Sequence, residues 1–276
     1  MENPGLSEIT FVVATYNAEK TISRCLEGFA SQGDQGFELV VVDGRSTDNT
    51  MRCVGEFGPL VDKIISEKDD GIYDAWNKGV KLSTGSWIAF LGADDMLGTT
   101  HAVADMKTQT SKFPKTDFLY GINNVVDGNH HHVRYHGRPW IEIESDFYGG
   151  VMWLPHPGLL HRRRVFDEFG LFQADLAIAG DYELILRAML GGASIMFTGK
   201  DTGVTVAEGG VSQNPLTRNS SLAETRKALR RHGRRPNSRW WYYYMRSGIL
   251  AKVHLILGQQ GFELLKRLYL RKKPIQ

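Results

Sequence analysis

Apolar residues in the first hundred positions alternate between runs that suit strands and spacings that suit helices. Ile9 to Thr15 (ITFVVAT) is β-branched and apolar; AEKTISRCLEGFASQ then places Ile22, Cys25, Leu26 and Phe29 at helical spacing; FELVVVD begins a second strand. Next, Ser46 stands where an N-cap would precede TDNTMRCVGEF, KIIS is a short strand, and Gly71 to Leu82 has a helical pattern stopped by Ser83-Thr84-Gly85. Trp87, Ile88, Ala89, Phe90 and Leu91 then form an apolar run that ends in Gly92, Ala93 and two adjacent carboxylates, Asp94 and Asp95. Alternation of this kind predicts an α/β fold, a mostly parallel central sheet with helices on both faces.

In such sheets ligands bind beyond the carboxyl ends of the strands. The residues there are Thr15, Tyr16 and Asn17, then Asp43, then Glu67, Asp69 and Asp70, then Asp94 and Asp95. Turn and cap chemistry accounts equally well for Asp48, Asp69 and Asp70 taken singly. It accounts less well for Asp94 and Asp95, because a packed core rejects two adjacent like charges. Paired carboxylates at a strand end suit Mg2+ or Mn2+, which takes one or two of them and leaves its other positions to water and substrate phosphates. The chain has no GxGxxG after the first strand and no GxxxxGK[ST], so dinucleotide and P-loop chemistry lose their usual signature.

The series FVVATYNAEKTISRCLEGFASQ, FELVVVDGRSTDNT and SEKDDGIYDAWNKGVKLSTGSWIAFLGADD resembles family 2 glycosyltransferases, inverting enzymes of GT-A fold, densely over residues 9–95 and more loosely to about 212. The SExDxGIYDAxNKG pattern resembles the bacterial subgroup that assembles O-antigen, capsule and exopolysaccharide. The resemblance implies Asp95 as the metal ligand and Asp94 as a ribose or shared metal contact. It implies a nucleotide-sugar set of Ala14, Thr15, Tyr16, Asn17, Asp43, Asp70, Asn77, Lys78, Asp94 and Asp95. Two departures stand out. Where many relatives have DDGS, this chain has Asp43-Gly44-Arg45-Ser46, and where a DxD motif would place its first acid there is Gly92, so the metal site rests on Asp94 and Asp95.

LPHPGLLHRRRVFDEFGLFQADLAIAGDYELILRAMLGG resembles the family's acceptor half. It implies Asp181 as the general base, with Asp175 as its rival. The carboxylate falls in or near a first helical turn, where the dipole favours its ionised form and where acidic residues are also common for structural reasons alone. Glu183 faces elsewhere. His156, between Pro155 and Pro157, suits a contact to acceptor or diphosphate, or a plain turn. Gly209, Gly210 and Ser212 resemble a late loop that closes over the donor phosphates. The implied chemistry is transfer from a nucleotide diphosphate sugar, UDP-linked by family analogy, to a glycan hydroxyl with inversion and no covalent enzyme nucleophile.

Composition narrows the rest. At 276 residues, 42% hydrophobic and 23% charged, the chain can bury one sizeable core. Cys25 and Cys53 make neither a disulfide framework nor a zinc spacing, MENPGLSEIT is not a signal peptide, and no window reaches about 18 apolar residues, which together predict a cytoplasmic protein that does not cross a membrane. The net charge of +2 hides an asymmetry: residues 218–276 hold 15 Lys and Arg against two Glu, a local +13 that leaves −11 for the remainder. A catalytic domain over 1–217 (nucleotide-sugar binding to about 100, acceptor part beyond) followed by a basic helical extension over 218–276 is therefore expected.

That extension interleaves cations with Trp240, Trp241, Tyr242, Tyr243 and Tyr244 and continues with Ile249, Leu250, Val253, Ile256 and Leu257 at helical spacing. This suits an anionic membrane interface, and, with the resemblance, the inner face of a bacterial plasma membrane where polyprenyl-diphosphate-linked acceptors reside. RNA or an acidic partner, or a packed helical pair with a solvated basic face, would carry the same pattern. Asn129-His130-His131-His132 after Asp127-Gly128 reads as a surface hairpin, and the Asn219-Ser220-Ser221 sequon as silent. Two other functions fit the pattern less well: a sugar nucleotidyltransferase, whose Gly-rich basic loop is missing, and a non-catalytic nucleotide- or nucleic-acid-binding protein, against which Asp94, Asp95 and Asp181 argue.

Overall fold

The computed structural model describes residues 8–208 and 217–270, with side chains as far as residue 257; Gly209, Gly210 and Ser212 lie outside the described residues. In order, the first half contains β1 (Ile9–Thr15), α1 (Ile22–Ala30), β2 (Glu38–Asp43), α2 (Thr50–Glu56), β3 (Lys63–Ser66), α3 (Ile72–Leu82), β4 (Trp87–Gly92), β5 (Met96–Leu97) and α4 (Ala102–Lys112). The second half adds β6 (Phe118–Val126), β7 (His132–His136), α5 (Trp140–Tyr148), β8 (Leu160–Arg162), α6 (Arg163–Phe169), α7 (Gly180–Leu190), β9 (Ile195–Ala207), α8 (Arg218–Arg231) and α9 (Ser238–Leu270).

One sheet runs β3-β2-β1-β4-β8-β6-β9-β5, with β7 paired to β6. Over β3, β2, β1 and β4 it is parallel, as the alternating pattern predicts. Beyond β4 it is mixed: β8 is antiparallel to both β4 and β6, β6 is parallel to β9, and the Asp127-Gly128 turn folds β7 back on β6. The three His residues fall at that hairpin and are exposed.

Period-2 alternation in β1 and β2 sorts the core into two layers. Phe11, Val13 and Val41 face α1 and α4, whereas Val12, Val40 and Val42 face α3 and α7. Helix α3 lies so close to the sheet that a Cβ on Gly79 would sit 2.2 Å from Val12 Cγ1, so only glycine fits there. Ser46 does not cap α2, whose N-cap is Asn49; its hydroxyl donates instead to Asp43 Oδ1 at 2.5 Å.

The extension is packed. Ala228 and Leu229 of α8 are buried in the same core as Tyr182 of α7. Trp240 is fully buried, and its Nε1–H donates to Thr225 Oγ1 at 3.0 Å and Leu222 O at 3.2 Å while its ring stacks on Tyr244 at 4.9 Å. The aromatic run therefore splits: Trp240 belongs to the interior, and Trp241 and Tyr242 stay exposed. Among the described residues no helix is long and apolar enough to cross a membrane.

Candidate active site

The strand order reverses direction between β1 and β4, and the crevice beyond their carboxyl ends is where an open α/β sheet binds ligands. At the end of β1, Ala14 is half-buried, Thr15 is buried with no partner for Oγ1 among the described residues, and Tyr16 is 64% exposed. Asn17 takes a left-handed φ of 48°, which lets its Oδ1 accept the Thr47 N–H at 2.8 Å while its own N–H donates to Ser46 Oγ at 2.8 Å. Asp43 closes β2 and is wholly buried. Its oxygens accept from Ser46 N–H, Ser46 Oγ and Ser66 Oγ at 3.0, 2.5 and 2.6 Å, so the carboxylate holds the 44–46 turn in shape.

Beyond β3, Lys78 sits in a cage of carboxylates, with Asp69 at 2.5 Å, Glu67 at 3.0 Å and Asp74 at 3.2 Å. Burial works against its charge, but the hydrogen bonds that its ammonium donates to those carboxylates win and raise its pKa. Asp70 is exposed and its N–H bonds Asp74 Oδ2 at 3.2 Å. Asn77 is expected among the donor contacts, but both ends of its buried amide engage the Phe172 backbone at 2.9 Å. Its polar groups are spent joining α3 to the segment before α7.

Asp94 is exposed at the end of β4, and Asp95 is only 6% exposed. Among the described residues the one hydrogen bond to the Asp95 carboxylate comes from the Gly92 N–H at 2.9 Å. Burial, and then the charge of Asp94, push the Asp95 pKa up to about 7. A carboxylate this poorly compensated fits a cation. Among the described residues no group of three His, Cys, Asp or Glu could hold a metal, so the pair suits an ion that takes its remaining ligands from water and a diphosphate. Gly92, where an acid would complete DxD, closes against this pair: a Cβ there would lie 2.6 Å from Asp94 Oδ1.

Asp181 lies half-buried in the first turn of α7. Burial raises its pKa to about 6 against the opposing hydrogen bonds from Tyr182 N–H and Tyr73. The Tyr73 hydroxyl lies 3.0 Å from Asp181 Oδ1 and 2.7 Å from Ile178 O. Asp175, the rival base, is exposed and paired with Lys227 at 2.7 Å and with Arg231; the hydrogen bonds from these two cations hold its carboxyl well below the usual range, which makes it a poor proton acceptor. Glu183 is buried with Arg187 at 3.0 Å and His232 at 2.9 Å, turned away from Asp181.

His156 is buried, its ring stacked on Trp76 at 4.8 Å between centroids, and burial pushes its pKa down to about 3. The imidazole is neutral; its Nε2 and the Nε1 of Trp76 have no partner among the described residues. Tyr73 and Trp76, neither singled out by sequence, link Asp181 to His156 through ring contacts, Tyr73–Trp76 being 5.4 Å apart. The signal was present in GIYDAW, where aromatic residues at helical spacing read as plain core.

The profile of Glycosyl transferase family 2 matches residues 10–168. A PGL/p-HBAD biosynthesis glycosyltransferase of Mycobacterium tuberculosis is 30% identical over 181 residues, 64% of this chain and 68% of that protein. The Escherichia coli UDP-Glc:alpha-D-GlcNAc-diphosphoundecaprenol beta-1,3-glucosyltransferase WfgD is 32% identical over 124 residues, 44% of this chain and 47% of WfgD. Among solved structures, S. aureus TarS 1-349 in complex with UDP-GlcNAc superposes with a TM-score of 0.62 at 18% identity, covering 80% of this chain and 66% of that one. The chain spans only 39% of TarS itself. The Pyrobaculum calidifontis mannosyltransferase PcManGT, in complex with GDP-Man and Mn2+, gives 0.62 at 18% identity over 99% of this chain and 77% of that one. These superpositions support a GT-A fold, and the match over more than half of the sequence establishes that this chain belongs to glycosyl transferase family 2 and is a glycosyltransferase.

Proposed function

We propose that this glycosyltransferase moves a sugar from a nucleoside diphosphate donor, UDP-linked, to a glycan hydroxyl with inversion, aided by Mn2+ or Mg2+. The observation that carries this is Asp95, a buried carboxylate beside Asp94 at the strand-end crevice with a single backbone N–H to compensate it. The UDP-GlcNAc complex of TarS and the GDP-Man and Mn2+ complex of PcManGT support the donor and the metal. Family membership removes the nucleotidyltransferase and non-catalytic alternatives.

Asp94 and Asp95 would hold the ion, which when bound stabilises negative charge on the departing nucleoside diphosphate. Asp181, with its pKa raised to about 6, is ionised at neutral pH and basic enough to take the acceptor hydroxyl's proton as that oxygen attacks the anomeric carbon from the face opposite the leaving group. Neutral His156 offers a hydrogen bond without adding charge. NMR of the product formed from a UDP-sugar and Mn2+ should show an inverted anomeric configuration, with no product in EDTA. Retention of configuration would contradict direct displacement.

The acceptor we infer is a polyprenyl-diphosphate-linked glycan of bacterial surface polysaccharide, reached from the cytoplasmic face of the membrane; the diphosphoundecaprenol in WfgD's name supports it. Trp241, Met245, Ile249 and Ile256 are 43–80% exposed and recur at helical spacing on α9, beside a groove of about 490 Å³ lined by Arg226, Lys227, Arg230, Arg231, Trp240 and Tyr244. An apolar stripe next to cations suits an anionic lipid surface. Replacing Arg226 and Arg230 by Gln should weaken binding to anionic vesicles about tenfold or more, at roughly 1 kcal/mol per cation. Replacing Trp241 and Ile256 by Ala should weaken it even at high salt. Flotation without preference for anionic vesicles in the unaltered protein would rule the membrane out.

A further inference from the structure

The basic extension reaches into the neighbourhood of Asp181 through one carboxylate. Glu224, half-buried on α8, accepts three successive backbone N–H groups, from Ala177 at 3.1 Å, Ile178 at 2.7 Å and Ala179 at 2.9 Å. These N–H groups precede α7 and have no partner within that helix, so they form an anion-accepting concavity at the base of the turn that carries Asp181. Ile178 is the pivot. Its N–H is held by Glu224, and its carbonyl accepts the Tyr73 hydroxyl, whose oxygen lies 3.0 Å from Asp181 Oδ1. About one and two turns further along α8, Lys227 and Arg231 grip Asp175 of the same segment.

The hydroxyl of Tyr73 has one proton and two acceptors. While Asp181 is ionised the two compete for it; once Asp181 has taken a proton, the new acid O–H can donate to Tyr73, and Tyr73 can donate fully to Ile178 O. The position of Ile178 therefore decides how well Tyr73 serves both states of Asp181.

We propose that Glu224 is a positioning residue of the active site, fixing Asp181 through the backbone of Ile178 and the hydroxyl of Tyr73. The proposal rests on Asp181 being the general base. Among the described residues the titratable groups around Asp181 are few: neutral Tyr73 from α3, Glu224 from α8, and, with their charges matched by cations, Asp175 in the preceding segment and Glu183 on α7. Glu224 is thus the one nearby carboxylate among them without a cationic partner, and its charge adds to the rise in the Asp181 pKa.

The test is steady-state kinetics on the full chain with a saturating acceptor. Glu224→Gln removes the charge and turns an amide NH2 toward backbone donors, so kcat should fall about tenfold or more with the donor KM within twofold. The acid limb of kcat/KM should move to lower pH, because the neighbouring negative charge that raises the Asp181 pKa is gone. Glu224→Asp, shorter by one methylene, should recover part of kcat and return the limb. Asp175→Asn is on the surface and should fold even if Glu224→Gln does not; it should lower kcat severalfold by loosening the same segment. A lower melting temperature with kcat and the acid limb unchanged in Glu224→Gln would make Glu224 a helix cap and nothing more; if that variant does not fold, an unchanged kcat in Asp175→Asn would overturn the proposal. If Asp181→Asn keeps full turnover, the base assignment fails and this inference with it; if Asp181→Asn is inactive while Glu224→Gln behaves as the unaltered enzyme, only Glu224's role falls.

Discussion

Asp95→Asn is expected to abolish sugar transfer in a protein that remains folded. The amide oxygen can still accept the Gly92 N–H, so the turn after β4 keeps its hydrogen bond. What disappears is the charge that attracts the divalent ion. Calorimetric affinity for UDP in the presence of Mn2+ should fall several hundredfold, on the order of the cost of removing one partner from a desolvated charge pair. Unchanged affinity would end the assignment of Asp95 to the metal.

A second effect of the same substitution runs the other way. The Asp95 pKa is raised from 3.8 to about 7, so without metal its ionised form is disfavoured by folding, and stability present at low pH is lost as pH rises through about 7. Asn stays neutral. At pH 8 in EDTA, Asp95→Asn should therefore melt several degrees above the unaltered protein, with the difference vanishing at pH 4.

Asp181→Asn should bind donor normally and lose roughly a thousandfold in kcat, within the range a general base contributes. In the unaltered enzyme kcat/KM should fall as pH drops below about 6, where Asp181 becomes protonated. Asp175 cannot take over easily, because Lys227 and Arg231 hold it ionised. Near-full activity in Asp181→Asn would move the base elsewhere in the acceptor half.

The first four strands and three helices were legible because their burial repeats locally: each apolar period is set by neighbours in the chain, and the structure returns β1 over Ile9–Thr15 and β3 over Lys63–Ser66 with the expected ends. The place of Asp94 and Asp95 just past β4 was legible for a related reason, since the apolar run before them is local, whereas Asp181 came forward only through the family resemblance. What Asn77 and Asp43 bind was not legible. Their amide and carboxylate are occupied by Phe172 and by the Ser46 turn, contacts that no spacing announces. Trp240 misled because an aromatic run beside arginines looks alike at an interface and over a buried seam; its burial and its hydrogen bonds to Thr225 and Leu222 tell the two apart. Ala228 and Leu229, beyond residue 217, likewise enter the main core across long sequence separations that no local period announces.

The clasp from Glu224 also orders events during synthesis. The carboxylate that fastens Ala177, Ile178 and Ala179 is encoded 45 to 47 positions after them. Chains fold as they emerge, amino-terminal parts first. The strands around Asp43 and Asp95 can pair while α8 is still being made, but the turn that presents Asp181 has to wait for it. A nascent chain would thus form the strand-end crevice before Asp181, the proposed base, is set in place, and on that proposal the ability to transfer would arrive last.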